Sequence, residues 1–167
     1  LPTPDVTFED ELVLELKGGK NISLKVLEHA GVSTTQTVAY IEDVEALIVG
    51  DLVHHGVHAW LEGGIAGEAP DLDIDAWKLA LDELLSYKSA TVHAGRGEVA
   101  SVEDAVAAQK SYLEQVQTLS DAYKGKNEAP YDAEDHAALA GEIKAAFPDR
   151  GLGYLVDYSA YGLFVGE

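Results

Sequence analysis

The residues best placed to do chemistry are a carboxylate at the end of an apolar run, Asp51, and three imidazoles close behind it, His54, His55 and His58. Neutral imidazoles with a carboxylate suit zinc or iron. There is no cysteine, so any metal must be held by His, Asp or Glu. His54 and His55 point to opposite sides of an extended chain, so at most two of the three imidazoles converge. The competing reading makes them loop or core histidines and Asp51 a turn residue. His29 and His93 lie in or beside apolar strands and read as packing residues. His136 opens an acidic helix and reads as solvated. Gly95-Arg96-Gly97 follows another apolar run and lacks the spacing of a phosphate-binding loop. There is no Gly-x-Ser-x-Gly elbow for a serine hydrolase. Glu103, Asp104, Glu134 and Asp135 suit helix starts.

The elements that must position these groups are legible from periodicity. Residues 6–8, 11–16 and 21–27 are short β-rich runs, and Gly18-Gly19-Lys20 marks a hairpin between the last two. Residues 36–41 and 46–49 form a second pair around Glu42-Asp43, and the second of them delivers Asp51. After a glycine-rich stretch, a helix is expected with Asp75 as N-cap and Trp77, Ala80, Leu81, Leu84 and Leu85 on one face. Residues 90–93 form a strand stopped by Gly95-Arg96-Gly97. A long helix follows, capped by Ser101 and closed by Gly125. A last helix spans about 132–147 and stops at Pro148. The apolar tail from Gly151 should pack onto the body. Strands first, then helices around one further strand, predict an α+β domain: a mixed sheet with helices on one face.

The chain has 167 residues, 47% of them hydrophobic, enough for one cored domain. Thirty acidic residues face 11 basic ones, a formal charge of −19. That field repels a phosphate backbone and an anionic membrane surface, so nucleic-acid and membrane binding are not expected. It also suits solubility at high salt. There is no apolar run of bilayer length and no signal segment, and the expected location is the cytoplasm. The sequence has no methionine, so Leu1 is not a retained initiator and a processed product or fragment is expected.

The series Thr37-Val38-Ala39-Tyr40-Ile41, then Ala46-Leu47-Ile48-Val49-Gly50-Asp51-Leu52-Val53, resembles the strand–strand–Gly-Asp segment of the metallo-β-lactamase superfamily. Gly56-Val57-His58-Ala59-Trp60-Leu61, Trp77 and the strand into Gly95-Arg96-Gly97 are similar to features of its hydrolase-like members. The resemblance runs from about Pro4 to Tyr123. It implies half of an αββα sandwich: residues 1–125 as the C-terminal half of such a domain, with 126–167 as a helical extension and apolar tail. It implies metals at the sheet edges, zinc, iron or manganese, with Asp51 as the bridging ligand and His58 near the site mouth. The His-x-His-x-Asp-His motif of the family's first half does not occur here. The resemblance also places two of the family's ligand histidines near Ser33 and on Arg96. Serine is a poor ligand for a divalent metal, and arginine is none. Arg96 should then pair with Asp51 or hold an anionic group, with Ser33 and His55 as further ligand contacts.

Three functions follow as expectations. The chain is the C-terminal part of a metal-dependent hydrolase, or a degenerate relative that binds a ligand or protein partner without hydrolysis, or an assembly module. A small-molecule substrate suits the first. The bared sheet face should be covered by the missing N-terminal half or by a second copy in a homodimer.

Overall fold

The computed structural model describes residues 3–66, 69–87 and 91–165. Strands β1 (Glu11–Leu16) and β2 (Lys20–Val26) form an antiparallel hairpin. Its turn needs Gly18 and Gly19, whose φ values are +93° and +76°. β3 (Thr37–Ile41) and β4 (Ala46–Gly50) extend the sheet antiparallel, joined by a single 3-10 turn at Glu42–Val44. A two-stranded ribbon follows, β5 (Gly64–Ala66) with β6 (Ala69–Asp71). The chain then crosses through α1 (Ile74–Leu84) to β7 (Thr91–Ala94), which lies parallel to β4. The sheet order is β1-β2-β3-β4-β7, a mixed sheet in an α+β domain. Residues 6–8, expected as a strand, pair with nothing in the sheet, and an extended run without a partner is no strand.

α1 is capped by Asp73, whose carboxylate accepts from the Ala76 N–H at 2.8 Å, two residues earlier than expected. The shift follows from Ile74, which is buried and joins Trp77, Ala80, Leu81 and Leu84 on the inward face. Asp75 sits outside in the first turn and pairs with Lys78. Leu85 turns out to solvent because the helix ends at Leu84. α2 (Val102–Lys124) carries the expected Ser101 cap, with Ser101 Oγ accepting from the Asp104 N–H at 3.1 Å. α3 (Ala133–Ala146) starts at a capping box of Asp132 and Asp135. The tail coils into α4 (Tyr154–Ser159) and a 3-10 turn at Ala160–Phe164. Its Val156, Ala160, Leu163 and Phe164 belong to the same core as Leu47, Trp77 and Leu113.

The two faces of the sheet differ in kind. Val38, Leu47, Val49 and Val92 are buried in the core with residues of α1 and α2. Alternation sends the other residues to the opposite face. There the register lines up Ile48, Ala39, Leu24 and Leu12 in one row across four strands. Ile41, Ile22 and Leu14 flank that row on the same side. Ile48, Leu14 and Leu16 are 44%, 40% and 46% exposed. No helix of the described residues is long and apolar enough to cross a membrane.

Candidate functional site

Asp51 leaves β4 through Gly50, whose φ of +57° turns the chain out of the sheet. The loop after β7 closes on the same edge. Glu98 N–H donates to the His55 carbonyl at 3.0 Å, and Gly95 N–H donates to the Gly50 carbonyl. Two glycines make this approach possible. A Cβ on Gly95 would fall 2.5 Å from Asp51 Oδ1, and one on Gly97 would run into the His55 carbonyl. Gly97 also has φ of +108°. Between them Arg96 reaches over, and its Nη1–H donates to Asp51 Oδ2 in an ion pair. The expected pairing of these residues at one sheet edge is therefore realised.

Asp51 also lines a cleft of ≈ 540 Å³ with Ser33, Gln36, Thr37 and Trp60. The loop bearing Ser33 is tied to itself: Ser33 Oγ donates to the Thr35 carbonyl at 2.8 Å and accepts from Gln36 Nε2–H at 2.6 Å. Ser33 and Asp51 thus share one cleft, with hydroxyl, amide and indole groups around a carboxylate.

The histidines behave differently. His58 is buried, with Nδ1 3.1 Å from the Tyr112 hydroxyl and its ring edge-on to those of both Tyr112 and Phe147, which lie against each other. Burial, then the Arg150 charge, holds its pKa below the ordinary value. His54 is fully enclosed, edge-on to Trp77. Its backbone N–H donates to Gln109 Oε1 at 3.0 Å, while neither ring nitrogen has a protein partner. Burial lowers its pKa from 6.5 to about 4, with Asp51 opposing and Arg96 and Arg150 adding to the shift. His55 is half-buried beneath Gly97, and its Nδ1 is enclosed without a protein partner. His29 Nδ1 lies 2.9 Å from Glu83 Oε1, and Glu83 also accepts from the backbone N–H groups of Glu28 and His29.

Sequence reasoning passed over Arg150. Its guanidinium donates to the carbonyls of His54, Val57 and Ala108 and lies 4.2 Å above the Tyr112 ring. It thereby locks the histidine segment to α2 and the tail. The isolated Arg150 has no local sequence signal, because its three acceptors are backbone groups far away in the chain.

Among the described residues, the donors around Asp51 are each engaged elsewhere. Asp51 is engaged by Arg96, His58 is committed to the Tyr112 side of the core, and His54 is sealed. Among the described residues no group of three or more His, Asp or Glu is disposed to hold a metal ion.

No family model and no curated protein matches the chain. Solved structures do. A metallo-β-lactamase family protein from Thermus thermophilus is 20% identical, with a TM-score of 0.63 over 97% of this chain and 48% of that one. A metallo-β-lactamase from Pontibacter korlensis is 24% identical, with a TM-score of 0.52 over 68% of this chain and 50% of that one. A double mutant of a sec-alkyl sulfatase is 14% identical, with a TM-score of 0.56 over 99% of this chain and 27% of that one. The chain spans about half the length of the first two.

Proposed function

Because the chain has the metallo-β-lactamase fold over about half the length of these proteins, we propose that it serves as the C-terminal half of a hydrolase of that fold. The observation that carries this reading is the open sheet face. Leu12, Leu14, Leu16, Leu24, Ile41 and Ile48 make it apolar across four strands, and a single soluble chain rarely leaves so large a patch wet. The occupant is the complementary N-terminal half, whose own sheet would bury this one face to face. Burial of about 800 Å² per partner suffices for a stable interface.

In such an assembly the cleft beside Asp51, Ser33 and Trp60 lies at the seam. This half shapes that cleft, and a catalytic zinc, iron or manganese would be held by donors of the complementary half, since those here do not make a site. Native and denaturing mass spectrometry on protein purified from its source tests the proposal. The expected result is a native mass above one 17.8 kDa chain, resolving on denaturation into this chain and a second polypeptide or a longer parent. A native mass of one chain would sink it, and a mass of two identical chains would replace the complementary half with a second copy.

A second reading is favoured by one specific feature, the Arg96–Asp51 ion pair. It supports a non-catalytic relative that binds a ligand or partner at the same cleft. Metal analysis of the assembled protein separates the two, because the hydrolase reading expects stoichiometric metal in the complementary half.

A further inference from the structure

From the way Arg96 is held, we infer that its guanidinium is a resident counter-ion for Asp51, standing where a divalent cation would otherwise neutralise the carboxylate. This edge of the fold then takes up no metal through Asp51. One carboxylate oxygen is bound and the other lies against backbone. Oδ2 accepts from Arg96, and Oδ1 faces the backbone of Gly95, which approaches too closely for any side chain at that position. The pair is partly exposed, with the Arg96 and Asp51 side chains 40% and 35% accessible, but the loop that carries the arginine is bonded to the Asp51 segment at Gly50 and again at His55.

While Arg96 keeps its charge, a metal at Asp51 has to compete with it. A histidine gives up a proton to a metal, whereas a guanidinium stays charged at any pH a protein survives. Metal uptake at Asp51 would therefore have to break the ion pair and leave a fixed positive charge beside the ion. His54 is enclosed and His58 packs against Tyr112 and Phe147, so of the three loop histidines only His55, whose Nδ1 has no protein partner, is left to join Asp51 once the Arg96 charge is removed. Both members of the pair belong to this chain, whatever covers the open sheet face.

The test is cation rescue, read by thermal unfolding of the purified protein with EDTA or with an excess of zinc or manganese. Arg96→Ala should melt below wild type in EDTA and regain stability with either metal. Wild type should respond to metal no more than Asp51→Asn does, and the double variant Arg96→Ala with Asp51→Asn should show no gain over either. Zinc calorimetry reads the same point without unfolding: the Arg96→Ala protein should bind at least about tenfold more tightly than wild type. If Arg96→Ala does not fold, Arg96→Gln keeps the shape of the side chain without its charge and carries the same expectation. One-to-one zinc binding by wild type that is lost in Asp51→Asn would overturn the inference. So would variants lacking the Arg96 charge that respond to metal no more than wild type.

Discussion

Leu47 and Ile48 are neighbours on β4, yet one is sealed in the core and the other is 44% exposed. The same contrast holds through β3, β4 and β7, whereas at β1 Val13, on the inner side, is itself 48% exposed. One face is a finished interior, pinned by Trp77, whose indole N–H donates to the Leu52 carbonyl at 2.9 Å. The other face has equally apolar residues and nothing described above it. Similar composition on two faces with opposite burial means that residue type alone did not decide which face is core; the helices did. Apolar side chains on the uncovered face are then most simply explained by a partner.

Perturbing the closed face should have the largest effect. Trp77→Ala removes a fully buried indole and its hydrogen bond, and should destabilise the protein by about 3–5 kcal/mol in chemical denaturation. Acid should act next through His54. Its folded pKa of about 4 lies below the ordinary 6.5, so the unfolded chain takes up the proton first. Stability from this residue is complete above pH 6.5 and lost as pH falls toward 4, about 3 kcal/mol in all. Denaturation midpoints across that window should fall with acid. His54→Leu should flatten the fall, leaving a smaller slope from His58, whose pKa is lowered in the same direction. Gly97→Ala strains a φ of +108° and drives a Cβ into the His55 carbonyl. It should cost about 1–3 kcal/mol by the same assay and loosen the loop that presents Arg96. Smallest of all, Ile48→Ser on the open face should move the stability of the lone chain by no more than about 0.5 kcal/mol, while weakening any assembly that covers that face. A large loss in the lone chain would mean that the two faces are not as different as they look.

Much of this was legible in the sequence. β1, β3, β4 and α2 fall where alternation, helical spacing and the Ser101 cap place them. Asp51 and Arg96 each follow a predicted strand, and parallel pairing of β4 with β7 brings the two strand ends together. What stayed hidden depends on contacts distant in sequence. His54, His55 and His58 look alike as neighbours in a loop, yet Gln109, Tyr112 and Arg150 draw them into different surroundings. The cap of α1 was misplaced because Asp73 and Asp75 are equally good caps, and the choice turned on burying Ile74. The tail was expected to pack but not to coil, since its aromatic residues have no strong helical preference and become helical against α3.

Thiol labelling tests the covered-face account most directly, because the chain contains no cysteine and one can be placed at will. Ile48→Cys on the open face and Leu79→Cys on the outer side of α1 replace residues of nearly equal exposure, 44% and 48%. In the protein as purified from cells, the account predicts that Ile48→Cys is alkylated far more slowly than Leu79→Cys, and that denaturant abolishes the difference. Equal labelling of the two before denaturation would contradict it, and the open face would then be an ordinary wet surface.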